Sequence, residues 1–378
     1  MSGSVTSCPD NPIITELFTD RRFAMASFKV EVVRVEITPH PNADRLELAN
    51  VGGYHVVVGK GTYETGDLAA YIPEAALVPE EILTEMGLRG KLDGPQRNRV
   101  KARRLRGILS QGLCYPAKPG WAEGQDVTEE LGITKYEPPV PVHMDGQIYA
   151  AGPERTVRYD IENFKRYPDV LQEGEGVVIA EKLHGTFMCL GILSEEDAHP
   201  EYGRIAVTSK GLGARGLVFK PDVPENENNL YLRVAKQVIA ENNLLDARHT
   251  FFLLGEVYGS GVQDLTYGSR DPGFRVFDLV ITDSEGQQTF ADDSYLTAFL
   301  EDFPNLERVP VLYRGPFSKE VLRELTDGKE TVSGEASHIR EGVVVRPLEE
   351  RRDPRLGRVQ LKSISADYLT RRGGTEYT

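Results

Sequence analysis

One lysine gathers most of the chemistry that the sequence offers. Lys182 stands in Glu181-Lys182-Leu183-His184-Gly185-Thr186, directly after the apolar run Val177-Val178-Ile179-Ala180. That run reads as a strand, so Lys182 falls at a strand end, and Gly185 lets backbone come close to a ligand. A lysine so placed can reach a phosphorus atom. To act as a nucleophile it has to be neutral, and an unperturbed pKa near 10.4 leaves only about 0.04% in that form at pH 7. Burial and neighbouring cations lower that pKa. Lysines also end strands without doing chemistry, so this segment permits catalysis and no more.

Five further segments follow in order. They are Ser209-Lys210-Gly211, then Phe251-Phe252-Leu253-Leu254-Gly255-Glu256, then Phe274-Arg275-Val276-Phe277-Asp278. Glu341-Gly342-Val343-Val344-Val345-Arg346 and Gln360-Leu361-Lys362 complete the set. Each has a plain reading on its own. Glu256 could be a solvated strand-end acid, Glu341 a strand start, Lys210 a loop charge and His184 a hydrogen-bonding turn residue. Phe277 alternates with hydrophobic neighbours, which also suits core packing, and Phe274 is a second candidate for stacking.

As an ordered set the six segments resemble the lysine-adenylylating nucleotidyltransferases. The resemblance is closest to nick-sealing RNA ligases with an N-terminal OB domain and a Lys-x-His-Gly-Thr motif, and it covers roughly residues 28–370. It implies that Lys182 attacks the ATP α-phosphorus, that Lys362 contacts the α-phosphate, and that Glu341 organises Mg²⁺ or Mn²⁺. It implies an ATP site of Glu181, Gly185, Lys210, Glu256, Phe277 and Lys362, with Glu256 on the ribose and Phe277 stacked on adenine. Arg346 and Asn163 resemble further contacts. Two carboxylates beside Lys182 would raise its pKa, the wrong direction for a nucleophile, so the divalent metal is expected to be obligatory. Two departures stand out. His184 occupies the place of the common Asp, and Gln360 replaces one lysine of the usual Lys-x-Lys.

The elements that must position these residues read as α+β. Phe28–Ile37, Tyr54–Gly59, Asp67–Ile72 and the basic stretch Val100–Leu113 read as strands, with a short helix over Pro79–Met86. That pattern suits a small closed barrel such as the OB-fold. Proline, glycine and polar residues then dominate to about 158, which is linker composition. Strands and helices mix beyond it without regular alternation. The expected architecture is an N-terminal OB-fold β-barrel followed by an ATP-grasp-like nucleotidyltransferase ligase domain of antiparallel sheets and helices. Its divisions are a flexible leader over 1–24, the barrel over 25–118, a linker over 119–158 and the adenylyltransferase domain over 159–378.

A net charge of −14 argues against nucleic acid as a partner, but the distribution argues for it. Arg89, Lys91, Arg97, Arg99, Lys101, Arg103, Arg104 and Arg106 face a single acid, Asp93. Arg97 to Arg106 is therefore expected to hold phosphates in a salt-sensitive way, although a solvated strand edge would look the same. Pro39-His40-Pro41-Asn42-Ala43-Asp44-Arg45-Leu46 resembles tRNA-binding OB modules, with His40 and Asp44 read as turn-formers. Cys8, Cys114 and Cys189 form no CxxC pattern and read as reduced thiols of a cytoplasmic protein. No apolar run suits a membrane span. The resulting expectation is ATP-dependent sealing of 3′-OH and 5′-phosphate RNA ends, for instance in RNA repair. A GTP-using mRNA-capping guanylyltransferase, an RNA-binding protein with an inactive ligase domain and a DNA-only ligase remain open.

Overall fold

A β-branched run near the start of the chain passes from one sheet to another. Glu31–Arg34 and Glu36–Pro39 are broken only at Val35, which is 1% exposed. Before the break the run pairs with Leu68–Ile72, and after it with Leu46–Val51. Leu68–Ile72 then pairs with Leu113–Pro116, and Leu46–Val51 with Tyr54–Gly59, all antiparallel. Two three-stranded sheets that share one bent run curl into a small barrel. Its interior holds one apolar cluster around Val32, Ile72 and Val100 and another around Val35, Val56 and Ala69. The helix Glu80–Glu85 packs Ile82 and Leu83 against the first. The computed structural model describes residues 28–375, so the expected leader and Cys8 lie outside the described residues.

The basic stretch is a hairpin, not the single strand expected. Arg103–Leu105 pairs with Ile108–Ser110 across a two-residue turn. Arg106 and Gly107 both take positive φ there, the geometry that matches the twist of paired strands. His40 and Asn42 clasp the tip: His40 Nε2 bonds the Leu105 carbonyl at 3.2 Å, and Asn42 Nδ2 donates to the Arg106 carbonyl at 3.0 Å. Residues 119–158 also differ from a free linker. Val127, Leu131 and Ile133 enter the barrel core, Met144 enters the core of the second domain, and Ile148–Ala150 pairs with Leu217–Phe219. Proline-rich backbone forms few ladders, but the apolar side chains scattered through it still find cores.

The second domain is built on two five-stranded sheets. The first runs in the order Glu162–Asn163, Leu361–Ile364, Gly342–Pro347, Gly176–Lys182, Val311–Pro316 and is antiparallel except at its first pair. The second runs Ile205–Ser209, Thr186–Ile192, Phe251–Tyr258, Gly273–Thr282, Gln288–Phe290 and is antiparallel throughout. Val177, Ile179, Val343, Val345 and Leu361 are fully buried behind the first sheet with the helix Lys319–Thr326. Each such side chain contributes about 1.5–3 kcal/mol of burial. The helix Leu230–Asn242 covers the second sheet; Asn229 caps it by accepting from the Leu232 amide at 3.0 Å. Among the described residues no helix is long and apolar enough to cross a membrane.

The barrel touches the second domain at a bare backbone point. The Gly53 amide donates to the Lys165 carbonyl at 2.7 Å, and a Cβ on Gly53 would stand 2.8 Å from the Lys165 Cα. Beside it the Lys165 ammonium donates to Gln111 Oε1, and Gln111 Nε2 donates to Glu74 at 3.3 Å.

Candidate active site

Strand register sets the centre. Lys182 is the last residue of its strand and lies opposite Gly342, which puts Glu341 diagonally beside it. The Lys182 ammonium meets Glu341 Oε1 at 2.8 Å. Burial alone pulls the Lys182 pKa down, but the charges of Glu341 and Glu256 outweigh it and leave the pKa above its ordinary value. At rest, then, Lys182 is an ammonium ion and not a nucleophile.

Glu256 enters from the second sheet, opposite Phe187. Burial first, then the charge of Glu341, push its carboxyl up to about 8, against the opposing pull of Lys182 and a hydrogen bond from the Gly185 amide. That bond needs the two strands to approach closely, and a Cβ on Gly185 would stand 2.1 Å from the Val257 carbonyl oxygen. Lys362 comes from the first sheet. Burial, then the charges of Lys210 and Lys182, bring its pKa down to about 8. Lys210 itself is paired with Asp160 at 2.6 Å.

A cavity of about 220 Å³ opens between the sheets, lined by Lys182, Lys210, Glu256, Phe277, Arg346 and Lys362 among others. Its walls include Ile161, Val178, Ala180, Val309 and Val344, an apolar slot ending in charges. Phe277 faces it for a reason in the ladder. The pairing steps from Leu254↔Asp278 to Gly255↔Val276, so Phe277 is the extra residue of a β-bulge. Bulges turn a side chain out of the regular alternation. Tyr159 stacks on Phe187 at 5.3 Å and meets Phe277 at 5.2 Å, forming an aromatic end to the slot.

Other expected residues have different surroundings. Glu181 borders the cavity, yet its carboxylate accepts from the Thr331 amide at 2.9 Å and hydroxyl at 2.7 Å. Phe274 packs over Gly255 in the core and does not line the slot. The Asn163 side chain caps a short turn by accepting from the Lys165 amide at 2.9 Å. Arg346 is 3% exposed, bonded to Ala291 O and Glu350, and its Nη2 has no hydrogen-bond partner.

His184 is the hub of a buried ring. Its Nδ1 bonds the Tyr368 hydroxyl at 2.7 Å and its Nε2 bonds Asp264 Oδ1 at 2.8 Å. Its amide donates to the Tyr267 hydroxyl at 2.5 Å. A histidine has hydrogen-bonding atoms at both ends of its ring, and here it bridges two segments far apart in the chain. Tyr368 lies in the helix Ala366–Leu369, whose capping residue Ser365 donates its amide to the Glu341 carbonyl at 2.9 Å.

Tyr159, Phe187, Arg308 and Gln360 also line the cavity, and sequence reasoning gave them no role there. Phe187 could have been found: it faces Glu256 across the ladder, one residue past the Gly185-Thr186 step. Arg308 comes from irregular chain and gave no such signal. Of the six expected phosphate contacts, Arg103 is paired with Asp93 at 2.9 Å and Arg104 with Asp367 at 2.7 Å. Arg99 lies over the Tyr136 ring at 3.6 Å, Lys101 is half-buried, and Arg97 and Arg106 are exposed.

Glu341 offers hard oxygen ligands beside Lys182, and burial holds the neighbouring Glu256 carboxyl up at about 8. Among the described residues no group of three or more His, Cys, Asp or Glu side chains gathers as a metal cage. That suits Mg²⁺ or Mn²⁺, which keep water and phosphate ligands and take few from protein.

A family model described as RNA ligase matches residues 175–364, half of the chain. The chain belongs to the RNA ligase family. A model of an OB-fold domain matches residues 29–117 of this ligase, which is the barrel. Among solved structures, Naegleria gruberi RNA ligase with PPi is 23% identical, with 91% of this chain and 98% of that chain covered and a TM-score of 0.74. A mutant of the Naegleria gruberi enzyme with ATP and Mn is 23% identical over 90% and 98%, with a TM-score of 0.73. Another mutant, with AMP and Mn, is 22% identical over 91% and 98%, also at 0.73. At these identities the likeness shows a shared fold of barrel and ligase domain. The comparison with curated proteins gave no match.

Proposed function

We propose that this RNA ligase joins 3′-OH and 5′-phosphate ends at nicks, using ATP and a lysyl-AMP intermediate on Lys182. One observation carries the proposal: Lys182, bonded to Glu341, shares a single cavity with Lys210, Glu256, Phe277 and Lys362. The Naegleria gruberi structures with ATP, AMP and Mn support the same choice of nucleotide and metal. An OB-fold barrel ahead of the RNA ligase match supports a nucleic-acid substrate.

In the first step Nζ of Lys182, having shed a proton, attacks the α-phosphorus. A P–N bond forms, the bond from that phosphorus to the β-phosphate oxygen breaks, and pyrophosphate leaves with the electron pair. Lys362 and Lys210 provide positive charge for the phosphates, the main way a protein stabilises such a transition state. Phe277 stacks on adenine and Glu256 accepts from the ribose. Glu341 would hold Mg²⁺ or Mn²⁺, whose charge offsets the two carboxylates and lowers the cost of a neutral Lys182. AMP then passes to the 5′-phosphate oxygen as the P–N bond breaks. A 3′-hydroxyl attacks that 5′-phosphate, and AMP leaves.

Mass spectrometry of the protein after ATP and Mg²⁺ tests the reading. The expected result is one AMP on Lys182, absent from Lys182→Ala. An adduct formed with GTP alone would favour the capping reaction, and no adduct with either nucleotide would leave a binding protein.

A further inference from the structure

Arg104 lies on the barrel hairpin and Asp367 on the helix Ala366–Leu369 of the catalytic domain, so their 2.7 Å ion pair joins the two domains. The pair is open to water, with the two side chains 42% and 70% exposed. We propose that Asp367 stands in for a nucleic-acid phosphate, and that a bound duplex displaces it from Arg104 and so spans the barrel and the catalytic domain. The inference rests on the nucleic-acid reading of the hairpin.

Three observations support exchange over a structural bond. An exposed ion pair contributes little to stability, so breaking it costs little. A guanidinium already extended toward one carboxylate presents the forked donors that a phosphate takes equally well. The hairpin tip beside it, Arg106-Gly107, is held at its backbone by His40 and Asn42 while the Arg106 side chain stays exposed. A phosphate arriving at Arg104 therefore meets a fixed scaffold with a second cation close by.

The helix that carries Asp367 also reaches His184 and Glu341, through residues other than Asp367 itself. Asp367 precedes Tyr368, whose hydroxyl holds His184, and the same helix begins at Ser365, bonded to the Glu341 carbonyl. Arg371, at the end of that stretch, lies over the Tyr368 ring at 3.8 Å and pairs with Asp264 at 3.3 Å. Its charge is thus committed inward, and Asp367 remains the helix's contact to the barrel.

The test is binding of a nicked RNA duplex by the full chain, followed by fluorescence anisotropy across a salt series, for wild type, Asp367→Asn, Arg104→Ala and the double variant. Removing the competing carboxylate should tighten binding about two- to fivefold at low salt. Arg104→Ala should weaken binding and lower the salt slope by about 0.9, the value of one phosphate contact. In the Arg104→Ala background, Asp367→Asn should change nothing. All variants should form the Lys182 adduct as wild type does. If Asp367→Asn leaves affinity unchanged or weakens it while Arg104→Ala still weakens it, the exchange is wrong and the nucleic-acid reading stands. If Arg104→Ala has no effect, the site itself is wrong. If wild type does not bind the duplex, both fall together.

Discussion

The catalytic cavity and the barrel hairpin are both built on basic side chains, but water reaches them to opposite degrees. In the cavity, burial lowers Lys362 to about 8, while the field of two carboxylates holds Lys182 above its ordinary value. Behind it, Arg358 is enclosed between Asp278 and Glu350, with Asp278 fully buried. On the hairpin, Arg103 and Arg104 have their own ion pairs, yet both stay open to solvent. Burial and neighbouring charge together set protonation in the first region, whereas on the exposed hairpin such interactions are largely screened. Charges in the cavity are therefore expected to work as a coupled set and those on the hairpin as separate contacts.

Substitutions should expose that contrast. The largest effect is expected from Glu341→Gln, which removes the carboxylate proposed to hold the divalent metal, a loss that outweighs the relief of positive charge on Lys182. Adenylylation should fall about 10²–10³-fold with the fold intact, followed by adduct formation and circular dichroism. A loss under tenfold would mean that the cavity charges are not coupled.

Stability should separate the regions next. Asp278→Ala leaves Arg358 buried without its main partner and should cost about 3–5 kcal/mol in denaturant unfolding. Asp93→Ala, which frees Arg103 on the surface, should cost less than about 1 kcal/mol. Equal costs would erase the distinction.

A pH profile sharpens it. The positive charge on Lys362 is present below about 8 and is lost as pH rises through that value. kcat/KM for ATP in adenylylation should therefore decline above about pH 8, since that ratio reports groups of the free enzyme. Lys362→Arg keeps its charge and should push the decline to higher pH. Glu256 titrates in the same range, also near 8, so Glu256→Gln separates the two groups. A profile identical in all three proteins would contradict the assignment of Lys362. The smallest effect is expected from Arg106→Ala: weaker binding of a nicked duplex, a salt slope lower by about 0.9, and unchanged adenylylation.

Much of this was legible because strand ends write themselves locally. Lys182, Glu256 and Glu341 each adjoin an uninterrupted apolar run, and the cavity forms where those runs end side by side. What escaped depends on register. Phe277 is named by the motif resemblance, but the bulge that turns it into the slot leaves no local signal, and Phe187, which enters through its ladder partner, is missed. His184 was left without a role because its partners Asp264 and Tyr368 lie 80 and 184 residues away. The basic run was visible as composition. Its folding back into a hairpin, and the pairing of two of its arginines, were not, because the turn at Arg106-Gly107 lacks the usual asparagine or aspartate signal. Residues 119–158 misled in the opposite way, since proline content says little about where interspersed valines and leucines are buried.

The contact between Gly53 and Lys165 has a consequence for protein engineering. In outline the barrel looks like a transferable part, to be exchanged for one with another substrate preference. This point of contact between the two domains has no room for even a methyl group, and the adjoining Lys165–Gln111–Glu74 chain has to be completed from both sides. A transplanted barrel would need a glycine at that point and a matching amide and carboxylate beside it. Chimeras should be screened on those three positions before overall sequence similarity is considered.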